Sequence, residues 1–205
     1  MMVRNNANLA SFLAAALYSV DSGAFFELAD NGGACQISLP LLGLVSGSVI
    51  FQRLLTTSLR LAMLSNIGET GSFVVKNNPA LTSLQMLSLS SVDGILDISY
   101  NGHLGTLALS SLYRSGGHIN IHSNHLLQKV AFPSFVDGNL NLNISDNQNL
   151  KVISLFRLYI FSGDLVIDGN GQLESLSVLA CNGMSSGATV SIRNSASLES
   201  RASRL

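Results

Sequence analysis

The chain has 205 residues and a formal net charge of −1; charged residues make up 11% of it and apolar residues 47%. So little charge, with no basic block and no Trp, excludes nucleic acid as an expected partner and leaves few of the Glu, Lys and Arg residues that long surface helices want. No stretch approaches 18 uninterrupted apolar positions, which excludes a transmembrane helix. Ser, Asn and Gly stand where charge is missing, and they suit tight turns and hydrogen-bonded stacks.

Residues 1–22 read in two ways. Arg4, the apolar run from Leu9 to Val20 and the small residues after it resemble a signal peptide. The same stretch also places Val3, Asn6, Leu9, Phe12, Ala14 and Leu17 on a repeat template that becomes regular further on. On the second reading the chain begins mid-rung and belongs to a longer repeat protein. Residues 23–46 carry Leu28, Asn31, Ile37, Leu39 and Leu42 on that template. Residues 47–70 begin at Phe51, have lost the asparagine and have slipped by one residue.

From residue 71 the repeat is strict. The apolar anchors Val75, Ile98, Ile121, Ile144 and Ile167 follow one another every 23 residues. Three positions beyond each stands Asn78, Asn101, Asn124, Asn147 or Asn170; six beyond stands Leu81, Leu104, Leu127, Leu150 or Leu173. A coincidence of five asparagines in register has odds on the order of one in 10⁵. Units therefore fall near 71–93, 94–116, 117–139, 140–162 and 163–186, with a partial one at 187–205 marked by Val190, Ile192 and Leu198.

One unit reads G-x-L-x-I-x-x-N-x-x-L-x-x-L-x-L-x-x-L, followed by a turn. Its L-x-I and L-x-L pieces alternate with period 2, a strand signal, and neither is long enough for a helix. A period of this length that cannot bury its own apolar face implies stacking. The expected fold is all-β: a parallel β-solenoid of about seven to eight 23-residue rungs, each with at least two short strands. Stacked side-chain amides would form an Asn ladder at a repeated bend, a structural role, because Asn tolerates left-handed backbone and its amide bonds nearby groups.

The segments GSFVVKNNPALTSLQMLSLSSVDG (residues 71–94) and GILDISYNGHLGTLALSSLYRSGG (residues 94–117) resemble the receptor L-domain family. These are the leucine-rich-repeat-like right-handed solenoids of growth-factor and insulin-type receptor ectodomains. The match lies in the G-x-L-x-I-x-N-N-P-x-L-x-x-L phrase and the closing L-x-x-V-D-G of residues 89–94. The resemblance implies an extracellular or cell-surface location and a ligand-binding or adhesive role, with a protein or glycan as ligand. It carries over no site residues, because such ligands engage positions that do not repeat.

The candidate binding residues come from the outward positions of the first strand. The column before the anchor reads Val74, Asp97, Asn120, Asn143, Val166, and the column after it reads Lys76, Ser99, His122, Ser145, Asp168. Asp97, Ser99, Asn120, His122, Asn143, Ser145 and Asp168 thus form a polar patch, expected to be a solvated face with ligand contact as the functional reading. The order Asp–Ser–His invites a catalytic triad, but nothing in the sequence supplies an oxyanion hole or a strained nucleophile turn, so no catalytic residue is nominated. Asn143-Ile144-Ser145 is a lone N-glycosylation sequon.

No metal or cofactor is expected. His118 and His122 share one strand face about 13 Å apart, too far for one ion, while His103 and His125 fall near one bend without partners of metal-ligand type. Cys35 and Cys181 lie about six rungs apart and cannot bond to each other in such a stack; Cys181 reads as a small core residue. The second strand's outward column, Gln85, Ala108, Ala131, Ser154, Ser177, presents small side chains that another layer could approach closely. A structural spacer in a wall or coat is the alternative to recognition.

Overall fold

A computed structural model describes residues 1–33, 35–138, 141–155, 157–158, 160–178, 183–195 and 197–198. Among them all regular structure is β, and the strands stack in parallel as a solenoid of about eight turns, rungs about 23 residues apart. None of these residues belongs to a helix long and apolar enough to cross a membrane.

Each full rung contributes to three sheets. The first has nine strands in chain order, from Met2–Arg4 to Thr189–Ile192. The second side carries three-residue strands such as Ser83–Gln85, Thr106–Ala108 and Lys129–Ala131, in shorter ladders of two, two and four. The third is an eight-stranded stack of two-residue strands, from Ser19–Val20 to Gly183–Met184. The L-x-I and L-x-L pieces become the first two strands. The third strand, Ser91–Val92 in the closing L-x-x-V-D-G phrase, is too short to show a period.

Register follows from alternation. Leu96 pairs with Ile119 and Ile98 with Ile121, and each continues into the next rung as Leu142 and Ile144. These residues point inward and are buried, while the residues between them face out. Where the repeat slips, the first sheet keeps step: Val3 pairs with Leu28, Leu28 with Phe51, and Phe51 with Val75. The extra residues of those rungs are taken up between strands. The N-terminal rungs fill the core with aromatic rings, Phe12, Phe26, Phe51 and Phe73 stacking at centroid distances of 5.7, 6.0 and 5.7 Å. Such tilted pairs add to plain area burial.

The asparagines form the expected ladder. Asn78, Asn101, Asn124, Asn147 and Asn170 are fully buried. The backbone N–H groups of Asn78, Asn101, Asn124 and Asn147 each donate to Oδ1 of the next asparagine at 3.0–3.1 Å. Each Nδ2 in turn donates back to the anchor carbonyl of the previous rung, as from Asn124 to Ile98 at 2.9 Å. In the rung without an asparagine, Leu54 takes the place, and its N–H still donates to Asn78 Oδ1 at 3.0 Å. The left-handed bend itself falls one residue earlier than the ladder. Asp30, Arg53, Asn77, Tyr100, Ser123, Asp146 and Gly169 all have φ between 50° and 65°. The ladder residue is therefore chosen for its amide, and its neighbour for the turn.

Cys35 is 2% exposed, and burial pushes its thiol up from the usual range. The neutral thiol is a poor nucleophile, so a maleimide probe should label native protein at neutral pH far more slowly than urea-unfolded protein, at least about tenfold on the fraction at position 35. Equal rates, followed by peptide mass spectrometry, would contradict the buried assignment. Cys181 lies outside the described residues.

Candidate functional site

The first sheet presents its outward side chains in columns set by register: Val74, Asp97, Asn120, Asn143, Val166 in one, and Lys76, Ser99, His122, Ser145, Asp168 beside it. The candidate residues named from sequence thus stand side by side on strands Ile95–Ser99, His118–His122, Asn141–Ser145 and Asp164–Asp168.

Over most of this face, outward polar groups bond to one another across rungs. Arg4 pairs with Glu27, whose Oε1 also accepts from Gln52 Nε2 at 2.6 Å. Arg53 forks onto Asp30, one N–H reaching Oδ2 at 2.7 Å, and holds that carboxyl below its usual range. The Asn141 amide lies 3.2 Å from His118 Nδ1, and its Oδ1 accepts from the Asp164 N–H at 3.1 Å. Asp168 accepts from Asn194 Nδ2 at 2.7 Å, which commits it to the neighbouring rung and away from the rest of the patch.

The centre behaves differently. The side chains of Asn120, Asn143 and Ser145 face outward, half-buried, and make no hydrogen bond to any described residue. Ser99 is fully buried although it points out of the sheet, and its Oγ makes no hydrogen bond; Asp97 Oδ1 is buried and accepts none either. Neighbours on adjacent rungs explain the burial. Lys76 and His122 flank Ser99 in register. The Tyr100 ring meets the His122 ring edge-on at 5.1 Å, and Lys76 Nζ sits 5.3 Å from the Tyr100 centroid. Buried polar atoms without partners are uncommon and costly, by about 1–3 kcal/mol each.

His122 Nε2 lies 4.0 Å from Asp97 Oδ1, within ion-pair range when the ring is protonated but beyond a hydrogen bond. Its Nδ1 lies 3.3 Å from Ser123 Oγ. Both ring nitrogens are thus turned towards Asp97 and Ser123, and the relay from carboxylate through imidazole to Ser99 is not assembled. His103 Nδ1 is paired with the Pro79 carbonyl. Among the described residues no three His, Cys, Asp or Glu side chains gather to hold a metal ion.

Sequence reasoning missed Tyr100. It stands at the left-handed position with φ 56°, where other rungs place Asp30, Arg53, Asn77, Ser123, Asp146 or Gly169. A bulky residue with φ above zero is an outlier, and such strain clusters at functional positions. A large aromatic at the bend position, next to the ladder asparagine, was the available signal. On the second side, Ala108, Ala131 and Ser154 form the floor of an open groove of about 400 Å³, walled by Thr106, Lys129 and Pro133.

No protein-family model, curated protein or solved structure matches this chain. The fold and site define a parallel β-solenoid with a buried asparagine ladder and an unpaired polar panel at the centre of its widest sheet.

Proposed function

We propose that the chain is an extracellular or cell-surface recognition module that binds a protein or glycan ligand on the first sheet, at the panel Asp97, Ser99, Asn120, His122, Asn143 and Ser145. The observation that carries this reading is the contrast on one face. Polar side chains around the panel satisfy one another across rungs, whereas those at its centre are left open, two of their atoms buried without a hydrogen bond. A ligand that supplied the missing hydrogen bonds would recover a cost that the free protein bears. The resemblance to the leucine-rich-repeat-like receptor L-domain family, which covers at least residues 71–183, supports the extracellular placement. A glycan at the sequon Asn143-Ile144-Ser145 would cover the panel, so binding there requires Asn143 to be unmodified.

The reading is tested by immobilising wild-type protein and the double variant Asp97→Ala, His122→Ala and comparing what each retains from extracellular extracts. The variant is expected to lose at least about tenfold in affinity for the retained partner, the scale of a binding hot spot. Its urea midpoint should not fall, because both side chains lie on the solvent side of the sheet. Retention unaffected by the two substitutions would sink the panel as the site. The alternative, a structural spacer of a wall or coat, draws support from the core that runs through successive rungs and the asparagine ladder from Asn78 to Asn170; it gains if neither column retains anything.

A further inference from the structure

We infer that the panel is a binding site for an extended, neutral β-linked hexose polymer lying along the solenoid axis, one sugar per rung. This rests on the recognition reading above and narrows its ligand class.

Three observations select a sugar chain over a peptide. First, every strand bearing the panel is paired on both sides, so no sheet edge is open for an added peptide strand. Second, the panel offers isolated donors and acceptors, carboxylate, amide and hydroxyl, with no large apolar anchor between them, whereas protein interfaces centre on buried aromatic or Arg anchors in pockets. Sugar hydroxyls both donate and accept, and they match such a set. An exposed Tyr100 at one margin provides an aromatic face for the C–H side of a ring. Third, the strands of the panel and its neighbours carry Lys76 against Asp97, Asp164 and Asp168, which disfavours an anionic polymer.

Spacing supplies the orientation. Asp97, Asn120 and Asn143 occupy successive rungs of one column, with Val74 below and Val166 above. Parallel strands sit about 4.8 Å apart, and an extended β-linked hexose chain advances by a comparable step, about the length of one ring and its glycosidic bond. Consecutive sugars therefore meet consecutive rungs, and although alternate rings are turned over, each carries equatorial hydroxyls on both edges to meet the three polar ones. A coiled α-linked chain cannot hold that register. For the first contact, His122 and Lys76 must swing aside to expose Asp97 Oδ1 and Ser99 Oγ, giving up the contacts of His122 with Asp97, Ser123 and Tyr100 and of Lys76 with the Tyr100 ring.

The test is calorimetric titration of the purified chain with β-1,4-linked oligomers of glucose and of N-acetylglucosamine, one to six sugars long, with α-1,4-linked glucose oligomers as the comparison. Affinity should rise at least about tenfold from one sugar to three as successive rungs engage, and should gain little beyond five. The double variant Asn120→Ala, Asn143→Ala should lose about tenfold or more, while Gln85→Ala on the second side loses nothing. Failure of both β-linked series to bind, or affinity independent of length or linkage, overturns the inference. If the immobilised chain nonetheless retains a partner through Asp97 and His122, only the ligand class falls; if it retains none, the recognition reading falls with it.

Discussion

Asn124→Ala should cost about 3–5 kcal/mol of stability, whereas Asn120→Ala, four residues earlier in the same rung, should change it by no more than about 0.5 kcal/mol. The two side chains are the same and differ only in where the strand sends them. Asn124 is fully buried; its Oδ1 accepts from the Asn101 N–H at 3.0 Å, and its Nδ2 donates to the Ile98 carbonyl at 2.9 Å and to Asn147 Oδ1 at 3.3 Å. Alanine leaves a buried N–H and a buried carbonyl each short of a bond, at about 1–3 kcal/mol apiece, and opens a small cavity besides. Asn120 faces out and holds no protein bond, so its loss leaves nothing orphaned. Urea denaturation of both variants followed by circular dichroism is the measurement, read at the transition midpoint because a repeat array need not unfold in two states. Equal midpoints for the two variants would show that the ladder does not hold the rungs.

The ladder was legible in the sequence because one column needs one residue type in every rung. Only Asn offers, from so short a side chain, an amide oxygen that accepts from the backbone N–H of the preceding rung and an amide nitrogen that donates to a carbonyl of that same rung. The core anchors were legible for a similar reason: L-x-I and L-x-L alternate, and alternation fixes which side of a strand is buried. The third sheet was not, since two-residue strands such as Arg114–Ser115 have no period to detect. Nor was the residue that bears the left-handed bend, although Asn77, Asp146 and Gly169 mark it in three of the regular rungs; the stronger asparagine signal next door masked it. The membership of the polar panel could be read from register alone. Its electrostatic state could not: Ser99 is buried because Lys76, Tyr100 and His122 close over it, and Asp168 leaves the panel because Asn194 takes its oxygen. Those outcomes depend on side-chain directions across three rungs, which no column of letters records.

Among the glycines with described surroundings, Gly117→Ala should be the most damaging added methyl. A Cβ built at Gly117 would lie 1.9 Å from the Gly94 carbonyl oxygen and 2.6 Å from that of Asp93, and at Gly94 it would lie 2.1 Å from the Gly71 carbonyl oxygen. Here the backbone of each rung rests on the carbonyl of the one before, so there is no flexible side chain to yield. Relief requires lifting the rung, which stretches the bond from the His118 N–H to the Gly94 carbonyl, now 2.9 Å. That bond starts the strand whose far end sets His122 beside Asp97. A loss of about 3 kcal/mol or more is expected, at the upper end of overpacking effects, together with weakened ligand capture by the panel. Gly105→Ala is the comparison, because a Cβ there meets nothing within 4 Å and its φ is not positive; it should be neutral or stabilising by up to about 1 kcal/mol. The glycine column breaks to leucine at position 140, outside the described residues, so the prediction is made for the rungs that keep it. Thermal melts of the two variants that coincide would mean that the rungs can move apart freely, and the fixed spacing on which a rung-by-rung ligand depends would be lost with them.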